Sequence, residues 1–344
     1  MLPPREISVA GRKIGGTHPC FVIAEIGVNH GGDEALCAAM IEEAAHAGAD
    51  AVKLQTVTPE ESYHPETESY AIFAASVLPE GAQERLVGCA KEAGVVLFST
   101  PGDLSALARL EAAGVPAIKI SSGLLTNVPL IRAAAETGKP LILSTGMAQM
   151  SEVETAVEAA CESGCQAFAI LQCTSLYPAP ASSLNLRAMD ALRQSFGVPV
   201  GYSDHHEGAL ACIAAVAAGA SLIEKHFTLD CSAPGADHAI SLEPDEFAAM
   251  SRDIRAVEAM LGSSAKAPVE AELPLREARH RRLVAARDLA AGEVIHSGDV
   301  FLMRLPADRP ALPAGWLDRV LGRKVRQPVA RLAGLTEDNV DLGR

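Results

Sequence analysis

Two histidines stand near the ends of apolar stretches and could together bind a divalent metal ion. His205 closes the stretch Pro199–His205, and His226 lies near the end of Leu222–Thr228. If these stretches are neighbouring parallel strands, both imidazoles leave the sheet at the same edge. A metal with only two protein ligands keeps positions open for water and substrate, and imidazole with oxygen ligands suits Mn²⁺ or a similar ion. A lone core histidine is more often a hydrogen-bonded packing residue, so the hypothesis depends on the pair.

Polar side chains recur at every second position of the apolar stretches. Alternate residues of a strand point to one face of a sheet. Five stretches thereby place polar groups on a shared face, namely Glu25, Lys53, Gln55, Lys119, Ser121, Ser203, His205, Glu224 and His226. A buried charge without a partner is costly, so these groups must satisfy one another around a shared cavity or a ligand. For each single lysine, a structural ion pair with Glu25 or Glu224 is the alternative interpretation.

These residue types could hold a small anion beside the metal and move a proton. The groups that could bind the anion are the ammonium groups of Lys53 and Lys119 and the hydroxyls of Thr100, Ser122 and Ser203. A carboxylate such as Glu25 or Glu224 could take a proton from metal-bound water. Such a site would serve an aldol-like or phosphate-releasing reaction of a carbonyl compound.

Eight apolar, β-branched stretches alternate with helical stretches over residues 21–228. They are Phe21–Gly27, Ala51–Thr56, Val95–Thr100, Ala117–Ser121, Pro140–Gly146, Ala167–Thr174, Pro199–His205 and Leu222–Thr228. Strands that alternate with helices predict βαβ units and a parallel sheet. Eight units in one series favour a closed (β/α)8 TIM barrel, and Gly27–Gly32 does not fit the G-x-G-x-x-G fingerprint of a dinucleotide-binding fold. In such barrels the active site lies at the carboxyl ends of the strands.

The helices between the strands are predicted from runs rich in alanine, leucine and glutamate. Examples are residues 33–47, 104–113 and 151–163, and a last helix is predicted at Pro244–Leu261. A glycine follows most of them, as expected where a helix ends in the left-handed conformation. These glycines are Gly48, Gly94, Gly114, Gly138, Gly164 and Gly219.

The composition changes after the predicted barrel, which we place at residues 1–261. Residues 262–281 are rich in serine, alanine, proline and charges, and we expect an irregular linker there. From 282 to 344, short apolar runs alternate with glycines and prolines, which predicts a small β-rich domain. A domain of about sixty residues is marginal alone, so we expect it to dock on a barrel.

Charge and composition argue against several classes of protein. The 344 residues carry a formal net charge of −14, whereas a nucleic-acid binder needs a basic face. No apolar run reaches the ~18 residues of a membrane span, and the first residues lack the apolar run of a signal peptide. The eight cysteines include no C-x-x-C pair. We expect reduced core thiols in a cytoplasmic protein rather than disulfides or a zinc site.

Short motifs along essentially the whole chain resemble the sialic acid synthases, in that family's order. These enzymes condense phosphoenolpyruvate with an N-acylated hexose to make nine-carbon 2-keto sugar acids. The matching segments are A-E-I-G-V-N-H (24–30), V-K-L-Q-T (52–56), S-T-P (99–101), I-K-I-S-S-G (118–123), L-S-T-G-M (143–147), C-T-S-L-Y-P (173–178), S-D-H (203–205), E-K-H-F-T (224–228) and P-G-A-D-H (234–238). The stretch V-A-A-R-D-L-A-A-G-E-V-I (284–295) resembles the small antifreeze-like (SAF) domain that ends these enzymes.

The resemblance implies roles that agree with the alternation of polar residues. His205 and His226 would bind a divalent ion, usually manganese in this family, with magnesium or cobalt as alternatives. The residues implied to hold phosphoenolpyruvate are Lys53, Thr100, Lys119, Ser122 and Ser203, with Ser175 where many members carry an asparagine. The residues implied to face the sugar are Glu25, Gln55, Tyr177 and Asp237. We take Glu25, Glu224, Lys53 and Lys119 as the candidate catalytic residues.

The resemblance also implies a reaction and an assembly. The enol carbon would attack the sugar aldehyde, polarised by the metal; water would then add to the resulting cation, and phosphate would leave. In the family the small domain of one subunit caps the barrel of its partner and brings an arginine to the N-acyl group. Arg304 is nearest to that position, and a domain-swapped homodimer is expected. Leu124 and Leu305 replace residue types common in the family, and these departures cluster on the sugar side.

The sugar and the class of reaction leave alternatives open. The segment at 234–238 favours N-acetylmannosamine or a 2,4-diacetamido hexose leading to legionaminic acid, since pseudaminic acid synthases usually lack it. A metal-dependent aldolase on the same barrel would need no phosphoenolpyruvate. A sugar-binding protein whose tail domain binds a polymer would show no turnover.

Overall fold

Eight parallel strands close into a barrel in the computed structural model, which describes residues 5–235 and 237–343. An antiparallel hairpin precedes them, formed by β1 (Glu6–Val9) and β2 (Arg12–Gly15). The barrel strands are β3 (Phe21–Gly27), β4 (Ala51–Thr56), β5 (Val96–Pro101), β6 (Ile118–Ile120), β7 (Leu141–Ser144), β8 (Phe168–Cys173), β9 (Val200–Asp204) and β10 (Leu222–His226). Each pairs with the next along the chain, and β10 pairs with β3. The predicted (β/α)8 TIM barrel is confirmed.

The strands lie where the apolar stretches predicted them, and no end differs by more than two residues. The two differences of two residues both fall at carboxyl ends, those of β7 and β10. His205 and Thr228, predicted within strands, follow β9 and β10 instead. The difference has a physical reason, because their backbone groups bond outside the barrel strands: the carbonyl of His205 accepts from the amide of Ala179, and the amide of Thr228 donates to the carbonyl of Leu242.

The helices of the barrel unit follow the strands in the expected order. They are α1 (Glu34–His46), α2 (Pro59–Ser62), α3 (Glu68–Ala75), α4 (Ala82–Glu92), α5 (Leu104–Ala112), α6 (Val128–Glu136), α7 (Met150–Glu162), α8 (Ala188–Phe196), α9 (Leu210–Ala217) and α10 (Pro244–Leu261). Side chains cap several of them, and Asp33 accepts from the backbone amides of Ala35 and Leu36. Gly48 and Gly219 have positive φ where helices end. The helix predicted at Pro244–Leu261 is confirmed.

Alternate residues of the barrel strands face two separate apolar cores. The outward-facing ones, such as Val22 and Val52, pack with the helices. The inward-facing ones include Phe21, Ile23, Ala51, Phe98, Ala117, Ile142, Ala169, Leu171 and Leu222. Ile7, Val9 and Ile14 of the hairpin join this inner cluster, so the hairpin covers the amino ends of the strands. The polar residues singled out by alternation continue the inner face toward the carboxyl ends.

A second compact unit begins at Ser263, after the first ends at Gly262. Its elements are α11 (Leu273–Arg279), β11 (Arg282–Ala285), β12 (Val300–Met303) and α12 (Leu317–Val320). Its own apolar core contains Leu283, Ala285, Leu289, Ile295, Leu312, Val320, Val325, Val329, Leu335 and Val340. The expectation of an irregular linker over 262–281 was wrong at α11, whose good helix formers follow a proline in the first turn. Apart from β11 and β12, its β pairings are isolated bridges such as Val284 with Gly334.

Short 3₁₀ turns complete the secondary structure, at Ser122–Leu124, Ala181–Ser183, His238–Ile240, Glu270–Glu272, Ser297–Asp299 and Ala314–Trp316. All eight cysteines are free thiols. The expectation that they belong to the core holds for most of them, but Cys161 is exposed and Cys89 and Cys231 are half-buried. Across 5–235 and 237–343, no helix is long and apolar enough to cross a membrane.

Candidate active site

Four charged side chains from distant parts of the chain meet inside the barrel near its carboxyl end. Glu25 comes from β3, Lys53 from β4, Lys119 from β6 and Glu224 from β10. Each is at most 5% exposed. Each lies on the inner face, two residues along its strand from an apolar residue of the inner cluster, so the β-strand repeat alone aims it into the cavity.

Acidic and basic groups alternate in this cluster. The Lys53 ammonium lies 2.8 Å from Glu25 Oε2 and 3.9 Å from Glu224 Oε2. The Lys119 ammonium lies 3.6 Å from Glu224 Oε1. The sequence left open whether each lysine forms a structural ion pair or serves a cavity. The structure shows ion pairs for both lysines, and Glu224 pairs with each of them.

Hydroxyl groups form hydrogen bonds with three of these charged side chains. Lys53 Nζ donates to Thr100 Oγ1 at 3.3 Å, and Ser203 Oγ donates to Glu224 Oε1 at 2.8 Å. Lys119 Nζ donates to Ser144 Oγ at 2.6 Å. Ser144 was missed by the sequence analysis, although it alternates with Ile142 on the inner face of β7 and the same rule could have found it.

The two glutamates differ in their affinity for a proton because their neighbours differ. Burial would raise the pKa of Glu224, but Lys119 and Lys53 outweigh it and lower that pKa to about 2. Burial raises the pKa of Glu25, and the pull of Lys53 offsets this only in part while the charge of Glu224 adds to it. Burial also lowers the pKa of Lys119. Glu224 is therefore a fixed anion, whereas Glu25 is the carboxylate suited to exchange a proton.

The two predicted metal ligands lie side by side at the mouth. The ring centroids of His205 and His226 are 5.2 Å apart, and both residues are buried. His205 Nδ1 lies 2.9 Å from the carbonyl oxygen of Thr174. Because a carbonyl only accepts, Nδ1 carries the proton and the lone pair of Nε2 is free for a metal.

His226 also fits the chemistry of a metal ligand. Burial lowers its pKa to about 4, so its imidazole is neutral, the form that binds metals. Its Nδ1 is 3.7 Å from Asp237 Oδ2 and is buried with no hydrogen bond among the described residues. No third histidine, cysteine or carboxylate of the described chain completes a ligand set with the pair, so water or substrate would supply the other ligands.

A second polar cluster forms where the loops after β6, β7 and β8 meet. Ser122 Oγ accepts from the backbone amide of Gly146 at 3.0 Å. A Cβ at Gly146 would clash with the hydroxyls of Ser122 and Ser175, so glycine is needed for this approach. Beside them Cys173 Sγ lies 3.7 Å from His205 Nδ1, a contact that the sequence analysis did not predict.

Three of the four residues predicted to face a sugar lie around Gly27. Gln55 Nε2 donates to Glu25 Oε1 at 3.0 Å. A Cβ built on Gly27 would come within 3.2 Å of Glu25 Oε1, 3.4 Å of Gln55 Nε2 and 3.6 Å of Asp237 Oδ2. The Tyr177 ring is 4.1 Å from that of His205 and 54% exposed, so it lies at the rim.

Arg304, His30 and His206 make hydrogen bonds outside this cluster. Arg304 belongs to the second unit, is exposed, and donates from Nε to the carbonyl of Arg279 at 3.2 Å. Its role at a barrel stays a prediction. His30, the last residue of the motif at 24–30, is buried and accepts from the amide of Gly32 at 3.1 Å. His206 lies 2.8 Å from the carbonyl of Ala179 through Nδ1 and is half-buried.

Comparison with known proteins identifies two matching families. The profile of the NeuB family matches residues 40–266, and that of the SAF domain matches residues 280–341.

Individual relatives match most of the chain. It is 39% identical over 319 residues to an N,N'-diacetyllegionaminic acid synthase of Legionella pneumophila, covering 86% of this chain and 90% of the relative. It is 32% identical to the human N-acetylneuraminate-9-phosphate synthase, covering 98% of each. A crystal structure of an N-acetylneuraminic acid (sialic acid) synthetase from Leptospira borgpetersenii, in complex with citrate, superimposes with a TM-score of 0.76 at 37% identity. That match covers 81% of this chain and 97% of the other.

Proposed function

Because this chain belongs to the NeuB family, we propose that it condenses phosphoenolpyruvate with an N-acylated amino hexose and releases phosphate, as a nonulosonic (sialic) acid synthase. The observation that supports this most directly is the buried series Glu25, Lys53, Glu224 and Lys119 beside two histidines. It combines a site for an anion with a carboxylate that can exchange a proton.

The anion site would hold phosphoenolpyruvate. Its carboxylate and phosphate need positive charge and hydroxyl donors, which Lys53 and Lys119 provide together with Thr100, Ser122, Ser175 and Ser203. The amide of Gly146 donates to Ser122 Oγ and so orients that hydroxyl. Ser144 would hold the Lys119 ammonium in place for the ligand. Binding both substrates in a fixed orientation supplies much of the acceleration that such a reaction needs.

Proton transfer would fall to Glu25. When the enol carbon has joined the sugar aldehyde carbon, water must add to the cation at C2 and lose a proton before phosphate can leave. Glu224, with its pKa near 2, is too weak a base for this step, whereas the raised pKa of Glu25 suits it. The ionised Glu224 would stabilise the positive charge that develops at C2.

His205 and His226 would hold a divalent ion, which we propose to be Mn²⁺, with Mg²⁺ or Co²⁺ as alternatives. Such an ion, when bound, polarises the aldehyde oxygen of the sugar. The fixed tautomer of His205 supports this assignment, as does the neutral imidazole of His226, whose Nδ1 has no hydrogen bond within the described part of the chain. Replacing either histidine by alanine should abolish retention of the metal. If the metal content were unchanged, the assignment of these two histidines as ligands would be wrong.

The proposed sugar is N-acetylmannosamine or a 2,4-diacetamido hexose, held by Gln55, Tyr177 and Asp237. The relatives include an N,N'-diacetyllegionaminic acid synthase and an N-acetylneuraminate-9-phosphate synthase. We further propose that residues 1–261 are the catalytic domain, 262–281 a linker and 282–344 the capping domain. In this proposal the protein is a cytoplasmic, domain-swapped homodimer, and the partner's cap brings its Arg304 to the sugar. The match of the SAF profile supports the division.

The decisive experiment is release of phosphate by the full chain with Mn²⁺, phosphoenolpyruvate and a panel of N-acyl hexoses. We expect phosphate and a 2-keto acid in equal amounts with at least one sugar. Pyruvate in place of phosphoenolpyruvate is the control, because an aldolase would accept it. No phosphate with any sugar of the panel would contradict the proposed reaction.

A further inference from the structure

A second buried ion pair lies directly behind the two histidines. Lys225 Nζ is 2.9 Å from Asp204 Oδ2, and both side chains are 0% exposed. Asp204 ends β9 and Lys225 lies in β10, and the two are register partners in the parallel ladder. Each immediately precedes one of the candidate metal ligands, so alternation turns this pair outward where His205 and His226 turn inward.

The Asp204 carboxylate gathers four donors from three elements. Tyr202 Oη donates to Oδ1 at 2.9 Å, and the backbone amide of His206 donates to Oδ1 at 2.9 Å. Lys225 Nζ donates to Oδ2, and Cys212 Sγ of α9 donates to Oδ2 at 3.3 Å. Several hydrogen bonds therefore connect the end of β9 to β10 and to α9.

The same network fixes the backbone that follows His205. Lys225 Nζ also donates to the carbonyl of His206, and Asp204 holds the amide of that residue. The carbonyl of His205 itself accepts from the amide of Ala179 at 2.9 Å. The peptide groups on both sides of His206 are therefore held by the ion pair, one residue from the imidazole that would bind the metal.

Stability alone is a poor account of this pair. Its neighbourhood is the apolar layer between strands and helices, where Tyr202, Val200, Ile223 and Cys212 are also buried. Replacing a buried ion pair by apolar residues is often neutral or stabilising, because desolvation offsets the attraction of the charges. What an apolar pair cannot supply is the set of directed hydrogen bonds to the backbone of His206.

We propose that Asp204 and Lys225 are positioning residues that set the relative placement of His205 and His226 for a divalent ion. This inference rests on the metal site of the proposed function. A metal site requires its ligands within about 0.5 Å of the productive geometry. The pair provides this by fixing β9 against β10 at the point where both histidines leave the ladder.

The first test compares Mn²⁺ binding by the parent protein and by Asp204→Asn, measured by calorimetry without substrate. We expect at least tenfold weaker binding in the variant, the range typical of groups behind a metal ligand. The matched control is Asp50→Asn at the amino end of β4. Asp50 pairs with Arg12 at 2.8 Å and Arg255 at 2.9 Å and accepts from the amide of Val22, far along the barrel from the histidines. The Asp50→Asn variant should lose thermal stability and keep the Mn²⁺ affinity of the parent protein.

A double variant keeps the test decisive if Asp204→Asn does not fold. Asp204→Leu with Lys225→Met leaves no unpaired charge, so its unfolding temperature should return toward that of the parent. Its Mn²⁺ affinity should stay at least tenfold weaker, and the visible spectrum of its Co²⁺ form should differ from that of the parent, since those bands report ligand geometry.

The outcomes separate this inference from the proposed function. A double variant with parent affinity and parent Co²⁺ spectrum would overturn the inference alone. Equal loss of affinity in Asp50→Asn and Asp204→Asn would also overturn it, because general loosening would then explain both. A parent protein that binds no Mn²⁺ would overturn the proposed metal site, and the inference with it.

Discussion

At the scale of single residues, the site gives two identical side chains opposite properties. Glu25 and Glu224 are both buried, but Glu224 faces two ammonium groups and Glu25 only one. Glu224 is therefore held ionised, whereas Glu25 binds a proton more tightly than an ordinary glutamate. Residue type alone says which atoms are available, whereas the count of neighbouring charges decides which carboxylate can act as a base.

The base assignment predicts the effect of Glu25→Gln. We expect kcat to fall by about 100-fold or more, a usual effect of losing a general base. In the parent, a base must be ionised, so kcat should rise with pH through the pKa of Glu25. Because that pKa is raised, this limb should lie above the ordinary carboxyl range near pH 4.3.

The control for this prediction is Mn²⁺ binding, since Glu25→Gln leaves both histidines in place. A pH–rate profile of the parent that is flat down to the ordinary carboxyl range, together with a variant of near-parent kcat, would show that Glu25 is not the base.

Gly27 supplies a second prediction at this scale. Gly27→Ala should raise KM for the sugar at least several-fold, because the new methyl group would stand among Glu25, Gln55 and Asp237. Gly31→Ala is the matched control. Its φ of +54° is close to the +57° of Gly27, and a Cβ there meets no atom within 4 Å. Both variants carry similar backbone strain of about 1 kcal/mol, so equal KM values for the two would refute the steric account.

At the scale of the element, the strand repeat is the device that builds the site. One face of the barrel strands packs against helices, and in most strands the other face changes from apolar to polar toward the carboxyl end. Glu25, Lys53, Lys119 and Glu224 become neighbours through register alone, with no local sequence relation between them. The ion pair of Asp204 and Lys225 uses the opposite face of two of these strands.

β7 provides the test of this arrangement. Ser144→Ala removes the hydroxyl that Lys119 donates to at 2.6 Å, so we expect KM for phosphoenolpyruvate to rise several-fold with little change in the unfolding temperature. Thr145→Val is the control, because Thr145 Oγ1 donates to the carbonyl of Leu171, whereas Lys119 Nζ donates to Ser144 Oγ and the carbonyl of Ile120. If steady-state kinetics gave Thr145→Val the larger rise in KM, Ser144 would not be the residue that orients the lysine.

At the scale of the whole molecule, the chain consists of two units with separate apolar cores. The barrel is complete within the first unit, including the hairpin that covers its amino ends. Every candidate site residue except Arg304 lies in that unit, so chemistry and the proposed capping can be separated by truncation.

A chain truncated before residue 282 should keep the barrel fold and lose most synthase activity. The far-ultraviolet circular dichroism should be that expected for an intact barrel. The Mn²⁺ affinity should be unchanged, because His205 and His226 both remain. Phosphate release should fall at least tenfold once the proposed cap is gone. Full turnover by the truncated chain would contradict the capping role.

The sequence by itself determined the barrel and the identity of most inward-facing polar residues. Both follow from local information, since the repeat of two along a strand states which side chains share a face. The same rule also covers Ser144 and Cys173, because each follows an inward-facing apolar residue, Ile142 or Leu171, by two positions. The helix α11 was missed because its charged, proline-containing segment resembles a linker.

Only the tertiary structure decided how these residues meet. The sharing of Glu224 by two lysines, the tautomer of His205 and the ion pair of Asp204 with Lys225 depend on register between strands that are distant in sequence. Periodicity fixes the face of a strand but not the offset between neighbours, and distances of 2.8 Å or 3.9 Å follow from that offset. The sequence therefore named the members of the site, and packing assigned their charges and partners.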